Sequence, residues 1–280
     1  ASSQVKKALL TWFILAGLVQ VSRSQEILLV PENLNFQSET ERIFWQYGES
    51  NPFLLFKAVQ AERTASEQAW IEVVEDLDLK ASRKKSDLQF LRQIFEKTHQ
   101  KLLKKYEQHS TFNSMLSEGK FDCVSGSAAL SLLLDRYGFV FDIIETDYHV
   151  FVVVDLEGKK AILESTLPIG GMITSPTEVN KYLESYRPEK FAQLKSLNQG
   201  LAGPDIDYGD HSIFRKVNFK QLAGLQYYND AIVHFNSQAF GLAIDQLSKA
   251  YLLYPSDRIL GLRELSIDMA YKTYGYEIKK

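Results

Sequence analysis

Apolar residues recur at three- and four-residue intervals through the first half of the chain, the spacing of one face of an α-helix. Between Pro52 and Ala81 the apolar positions on this spacing are Phe53, Phe56, Val59, Trp70, Val73, Val74 and Leu77. The same spacing returns from Asp87 to Gln108, where Ser86 or Asp87 can cap the helix. We therefore predict a mainly helical N-terminal region over residues 25–110.

The middle of the chain combines a helix with strands. Cys123 to Tyr137 is an apolar run that predicts a helix, with Gly138 as its stop signal. An apolar run rich in β-forming residues follows over residues 139–145. The segments Tyr148–Asp155 and Ala161–Thr166 are separated by turn-forming residues, and this pattern predicts an antiparallel hairpin.

The C-terminal part of the chain returns to helical spacing. A helix is predicted around Thr177–Leu197, and turn-forming residues then dominate residues 198–215. This stretch is either a linker between domains or a lid over a site, and the sequence favours neither. Two apolar stripes follow from Phe219. The first contains Leu222, Leu225, Tyr228, Ala231, Ile232 and Phe235, and the second contains Phe240, Ala243, Ile244, Leu247, Ala250 and Leu253.

The second of these helices resembles part of a tetratricopeptide repeat. Ala239–Pro255 is similar to the second helix and closing proline of that repeat, and Asp257–Tyr274 is expected to be a capping helix. Because about three repeats are needed for an independently stable stack, a single repeat must pack against something else. We expect residues 216–280 to dock on the preceding domain or to bind a protein partner in their groove.

Composition narrows the class of protein. Hydrophobic residues make up 45% of the 280 positions, which suffices for the core of one large or two ordinary domains. The formal net charge of −3 gives no general attraction for nucleic acid or for an anionic membrane. The basic residues of 101–105 alternate with apolar ones at helical spacing, as on the solvated face of a helix. We therefore expect no nucleic-acid partner.

The N-terminus has the pattern of a secretory signal peptide. A pair of lysines precedes the apolar stretch Ala8–Val21, and Ser22–Ser24 supplies small residues before an expected cleavage in front of Gln25. The apolar stretch is shorter than the about 20 residues of a membrane span, and a retained signal anchor is the alternative. We expect residues 1–24 to be a signal peptide and the mature chain to be secreted or periplasmic, without a membrane span.

Cys123 is the only cysteine in the chain, so the fold rests on core burial rather than on disulfides. It stands at the start of a predicted helix, where free backbone N–H groups and the helix dipole favour a thiolate. Asp122 is a predicted N-cap whose negative charge opposes thiolate formation. A lone cysteine on an apolar helix is more often a buried hydrophobe, so a nucleophilic role for Cys123 requires a nearby base.

The predicted hairpin can supply that base and a carboxylate to orient it. A two-residue turn after Leu156 pairs it with Lys159 and places Glu164 diagonal to His149, at roughly 7 to 8 Å between backbones. A four-residue loop places Glu164 directly opposite His149, whereas a three-residue loop turns the carboxylate away. Asp155 shares this face but lies about 20 Å along the strand, so it cannot orient the imidazole.

The order of these residues resembles the transglutaminase-like branch of the papain-like superfamily. The similarity runs from Gly119 to Pro168, and its most specific parts are the segments Phe121–Ser125 and Tyr148–Phe151. The resemblance implies an α+β fold with a papain-like core over residues 111–197, in which the cysteine-bearing helix packs on an antiparallel sheet.

The resemblance also implies a chemistry. Cys123 would attack an amide carbonyl, His149 would act as general base and acid, and Glu164 would orient the imidazole. The usual carboxylate of the family is Asp, so Glu164 lengthens this arm by one methylene. The expected function is an exported, thiol-dependent acyl transfer on a peptide or protein substrate, by hydrolysis or by transamidation.

Two alternatives give the chain a different function. A hydrolase that uses Ser125 or Ser127 is disfavoured because neither serine lies in a nucleophile-elbow motif. The main alternative is a catalytically inactive scaffold that binds a protein partner through its helical repeat.

The remaining histidines suggest no further chemistry. His99 and His109 have no Cys or acidic partner at metal-ligand spacing and are expected to be structural or exposed. His211 and His234 are weak candidates for any role. No metal-ligand cluster, phosphate-binding glycine loop or nucleotide motif occurs in the sequence, so no cofactor is expected.

Overall fold

The computed structural model describes residues 33–62, 65–186 and 213–275. The predicted signal peptide, residues 187–197 of the helix predicted around Thr177–Leu197, residues 198–212 of the predicted linker or lid, and His211 lie outside the described residues. The helices are α1 (Glu39–Tyr47), α2 (Pro52–Lys57), α3 (Gln68–Ala81), α4 (Asp87–Lys101), α5 (Phe112–Glu118), α6 (Cys123–Arg136), α7 (Pro176–Ser185), α8 (Phe219–Asn236), α9 (Phe240–Leu253) and α10 (Asp257–Tyr274). The strands are β1 (Lys105–Tyr106), β2 (Lys120–Phe121), β3 (Val140–Thr146), β4 (Val150–Leu156), β5 (Lys159–Leu163), β6 (Met172–Ile173) and β7 (Phe214–Val217). The predicted α+β class is confirmed.

Five of the strands form an antiparallel sheet in the order β6-β5-β4-β3-β7. The central strand, β4, is buried at every residue from Val150 to Val154, because both faces of the sheet are covered. Alternate residues point to opposite faces. Phe151 and Val153 pack with Val179 of α7, whereas Val150, Val152 and Val154 belong to the larger core that contains α6.

The larger core joins the N-terminal and C-terminal helices. It contains buried side chains from α2, α4, α5, α6 and α8 together with those of the sheet. The ring of Phe56 on α2 lies 5.6 Å from the ring of Phe112 on α5 and 6.1 Å from that of Phe219 on α8. The helical segment that begins at α8 therefore packs against the preceding part of the chain.

The predicted helical stretch over 52–81 is divided into α2 and α3. The side-chain amide of Asn113 donates hydrogen bonds to the carbonyls of Lys57 and Val59, each at 3.0 Å. Gln60 then adopts a positive φ of 56°, which turns the chain away from the helical path. The break depends on an amide from α5, so it has no local signal within residues 52–81.

The three C-terminal helices have the predicted extents. The predicted capping helix coincides with α10, and α9 packs against both α8 and α10. Asn218 begins α8 through a capping box, in which its side chain accepts from the N–H of Gln221. Among the described residues, no helix is both long enough and apolar enough to cross a membrane.

Candidate active site

Cys123 is the first residue of α6, and the predicted N-cap Asp122 is confirmed. The Asp122 carboxylate accepts the backbone N–H of Ser125 at 2.8 Å, and the Asp122 N–H donates to Ser125 Oγ at 3.0 Å. Asn229 of α8 donates from Nδ2 to the second Asp122 oxygen at 3.0 Å. These contacts fix the backbone on both sides of the thiol.

The first two turns of α6 rest against the sheet. Ser127 Oγ donates to the backbone carbonyl of Val150 at 3.2 Å. Gly126 is so close to Ser165 that an added Cβ would lie 2.7 Å from the Ser165 hydroxyl oxygen. Cys123 lies four residues before Ser127 and so on the same face of the helix. The thiol is therefore on the side of α6 that meets the beginning of β4.

The β4–β5 hairpin has the register of a two-residue turn. Leu156 pairs with Lys159, as predicted for that turn length. Glu157 and Gly158 have positive φ values of 54° and 86°, which a type I′ turn requires. His149 immediately precedes β4, and Glu164 immediately follows β5. The pairing of the two strands therefore brings these residues close together.

His149 and Glu164 form a direct hydrogen bond across these ends. The distance between His149 Nε2 and Glu164 Oε2 is 2.5 Å. The extra methylene of Glu relative to Asp therefore does not prevent the contact. Because Nε2 is occupied, Nδ1 is the imidazole nitrogen left to exchange a proton with another group.

Glu164 is buried and accepts three further hydrogen bonds. Tyr182 on α7 donates to Oε2, while Thr166 donates to Oε1 from its backbone N–H at 3.0 Å and from its hydroxyl at 2.7 Å. Burial alone would raise the pKa of Glu164, but the hydrogen bonds from His149, Tyr182 and Thr166 outweigh it and lower the pKa. The carboxylate is therefore ionised at neutral pH. Sequence reasoning missed Tyr182, whose only signal was its position in a predicted helix.

The surroundings of Cys123 disfavour the charged form of its side chain, whereas those of Glu164 favour the charged form. Burial raises the pKa of Cys123 to about 12, and the negative charges of Asp122 and Glu164 add to the shift. The backbone N–H groups of Val150 and Cys123 act in the other direction. The residue as a whole is partly exposed. When no neighbour takes its proton, the thiol is therefore neutral at physiological pH.

The imidazole of His149 is held from several sides. The turn before it is closed by Thr146, which donates to the His149 carbonyl from its N–H at 2.8 Å and from its hydroxyl at 3.1 Å. The rings of Phe151 and Tyr186 each lie 6.3 Å from the imidazole in a stacked orientation. The ring therefore has one restricted orientation, fixed by Glu164 at Nε2.

The other described histidines lie elsewhere or have different partners. His99 packs on Phe95 with ring centroids 4.5 Å apart, and burial lowers the pKa of His99 to about 4 against the attraction of Glu164. His234 Nε2 lies 3.4 Å from Asp230 Oδ2. In the three described ranges, no group of three or more His, Cys, Asp or Glu side chains is arranged to hold a metal ion.

A scan against protein-family models, a search of curated proteins and a search of solved structures each found no match to this chain. What the protein does must therefore be inferred from the side chains that meet where α6 reaches the sheet.

Proposed function

We propose that this protein is a thiol-dependent acyl-transfer enzyme whose catalytic residues are Cys123, His149 and Glu164. The observation that carries the proposal is the hydrogen bond of 2.5 Å between His149 and a buried Glu164, formed beside the helix start that bears Cys123. An ionised carboxylate on Nε2 fixes the tautomer with the proton on Nε2 and leaves Nδ1 as the base. The resemblance to the transglutaminase-like branch of the papain-like superfamily supports the same three roles.

The proposed reaction follows from these positions. The Cys123 proton moves to Nδ1 of His149 as the sulfur attacks the amide carbonyl of a peptide or protein substrate. The imidazolium returns this proton to the leaving amine, and an acyl-enzyme remains on the sulfur. Water or a second amine then attacks the acyl group, with His149 taking its proton, and releases the thiol. The two acceptors give hydrolysis and transamidation respectively.

The raised pKa of the thiol determines how the nucleophile is formed. With a pKa of about 12, Cys123 by itself has almost no thiolate at neutral pH. The thiolate therefore forms only by transfer of the proton to His149, whose imidazolium the Glu164 carboxylate stabilises. In this scheme His149 is indispensable for reactivity near neutral pH, and Glu164 holds the imidazole so that Nδ1 can take the proton.

The test is the rate of Cys123 alkylation by iodoacetamide as a function of pH in the mature chain. We expect the wild type to react near neutral pH, because His149 in the dyad can take the proton of the thiol. His149→Ala should react only at strongly alkaline pH, and Glu164→Gln should react more slowly than the wild type at neutral pH. The variant His234→Ala is the matched control, since His234 pairs with Asp230 and should leave the profile unchanged.

A peptide screen followed by mass spectrometry then separates the two acyl acceptors. Cleaved or deamidated products indicate hydrolysis, and cross-linked products indicate transamidation. Both should disappear in Cys123→Ala. Alkylation that is slow at neutral pH and identical in the wild type and His149→Ala would contradict the proposal.

The alternative is a catalytically inactive scaffold with the same fold. It is favoured by one observation, the raised pKa of Cys123, which suits a structural thiol as well as a dyad. An alkylation profile indifferent to His149 would support this alternative and direct attention to a protein partner of the C-terminal helices.

A further inference from the structure

The turn over residues 147–149, between β3 and β4, is held in place by contacts to Glu145, a buried carboxylate of β3. Glu145 is fully buried, and its two oxygens accept from three side chains. Arg258 of α10 donates to Oε1, while Arg215 of β7, at 3.1 Å, and Tyr254 at the end of α9 donate to Oε2. A buried carboxylate is tolerated only when it is paired in this way. The C-terminal helices therefore hold the end of β3 from outside the sheet.

Arg258 also forms a hydrogen bond to the backbone of the turn. Arg258 Nη1 donates to the carbonyl of Asp147 at 3.0 Å, while its Nη2 binds Glu145. The guanidinium thus joins Glu145 at the end of β3 to Asp147 in the turn, and Asp147 lies two residues before His149. Its Cζ lies over the ring of Tyr228 of α8, 5.2 Å from the ring centroid, and this contact favours one position of the guanidinium.

The same helical segment reaches the cysteine side of the site. Asn229 of α8 donates to Asp122, the N-cap of the helix that Cys123 begins. Tyr228 and Asn229 are adjacent residues of α8. Tyr228 contacts Arg258 on the His149 side of the proposed dyad, and Asn229 contacts Asp122 on the Cys123 side. The spacing between thiol and imidazole then depends on where α8 and α10 sit.

We propose that Arg258 is a positioning residue for His149, and that the C-terminal helical segment is a working part of the catalytic site. The inference rests on the proposed function. A guanidinium can bind Glu145 and the Asp147 carbonyl simultaneously because its donors form a rigid planar fork. Lysine keeps the positive charge beside Glu145 but has no such fork, so the two contacts can be separated experimentally.

The decisive variant is therefore Arg258→Lys, which preserves the charge pair and should keep the fold. We expect its alkylation at pH 7 to be slowed by about tenfold, because displacement of a base by a fraction of an ångström weakens proton transfer. The low-field proton resonance of the His149–Glu164 hydrogen bond should broaden or shift. Arg263→Ala is the matched control on the same helix, since Arg263 donates to Ser248 of α9, at 3.0 Å, and not to Glu145 or the turn before His149; it should stay within about twofold of the wild type.

Chemical rescue provides a second readout that a merely structural role would not give. In Arg258→Ala, low-millimolar guanidinium can occupy the vacated position, and it should restore part of the alkylation rate and the low-field resonance. Circular dichroism and denaturation curves establish that each variant is folded.

The outcomes distinguish failure of this inference from failure of the proposed function. If His149→Ala slows alkylation but Arg258→Lys matches the wild type in both rate and resonance, the positioning role is overturned while the dyad stands. If His149→Ala itself alkylates normally, the proposed function fails, and the resonance in Arg258→Lys still reports whether Arg258 holds the imidazole.

Discussion

The carboxylate of Glu164 accepts hydrogen bonds from more donors than the imidazole of His149 alone. Both oxygens are occupied, Oε2 by His149 and Tyr182 and Oε1 by Thr166. The two donors of Thr166 fix one end of the carboxylate, so the longer Glu side chain keeps a single geometry. Tyr182 comes from α7 on the far face of the sheet and completes the set. A buried carboxylate with this many donors remains charged despite its burial.

Asp122 opposes the ionisation of its neighbour Cys123, and this gives a prediction at the level of one residue. Asp122→Asn should keep the N-cap, because Asn and Asp are equally good there, while removing a negative charge beside the thiol. The charge contributes to the raised pKa of Cys123, so its loss should lower that pKa and shift alkylation to lower pH. The measurement is the alkylation profile in a His149→Ala background, where the thiol titrates alone.

The control for this prediction is Asp155→Asn. Asp155 caps the hairpin turn by accepting the N–H of Gly158 at 2.6 Å and is remote from the sulfur. An unchanged profile in Asp122→Asn, with the helix intact by circular dichroism, would mean that the charge of Asp122 does not contribute to the raised thiol pKa.

At the scale of elements, most boundaries with a local cause could be predicted from the sequence. Ser86 caps α4 and Asp122 caps α6 through side chains that act within three residues. Gly138, at a φ of 73°, follows the end of α6 as its stop signal predicts. The sequence left the length of the hairpin loop open, and the two-residue turn of the structure is the alternative that places Glu164 diagonal to His149.

The elements that the sequence did not predict depend on distant residues. The end of α2 relies on the Asn113 amide from α5. The helix predicted over Asp87–Gln108 ends at Lys101, so the prediction is wrong for residues 102–108. There the backbone N–H groups of Lys104 and Lys105 donate to the Gly119 carbonyl at 3.0 Å, and β1 begins. Tyr182 joins the site only because α7 covers the sheet. Local propensity carries no information about such contacts, since they are decided when the elements pack.

The contact between α6 and the segment after β5 gives a prediction for one element. Gly126→Ala would normally stabilise a helix interior, but its Cβ would lie 2.7 Å from Ser165 Oγ and 2.8 Å from Ser165 Cβ. We expect a loss of about 1 to 3 kcal/mol in the free energy of unfolding, because α6 or Ser165 must move. Alkylation of Cys123 should change as well, since α6 carries the thiol.

The matched control is Gly261→Ala in α10. A Cβ at Gly261 meets nothing within 4 Å, so only helix propensity changes there. The expected effect is a gain of about 0.5 to 1 kcal/mol. Urea denaturation of both variants measures the difference, and a stabilised Gly126→Ala would show that α6 does not need its close approach to the sheet.

At the scale of the whole molecule, α1 is joined to α8 and α9 through the buried carboxylate of Glu41. Lys249 of α9 is fully buried, and its Nζ lies 2.6 Å from Glu41 Oε1 of α1. The same oxygen accepts from the Tyr227 hydroxyl at 3.0 Å, and the second oxygen accepts from the Gln37 N–H at 2.6 Å. The two residues of this ion pair are 208 positions apart, so the pair joins the first described helix to a C-terminal one.

This ion pair gives the last prediction, which concerns cooperativity of the whole fold. Lys249→Met leaves the Glu41 charge buried without its cation and should cost about 3 to 5 kcal/mol, whereas the double variant Glu41→Gln, Lys249→Met should recover much of that loss. Lys272→Met removes an exposed pair with Asp268 on α10 and should change stability by less than about 1 kcal/mol. Denaturation with two probes, tryptophan fluorescence for the N-terminal helices and alkylation of Cys123 for the site, measures the effect. If the two transitions separate in Lys249→Met, the ion pair is what unites the terminal helices with the part of the fold that bears Cys123; if they stay coincident, the shared apolar core suffices.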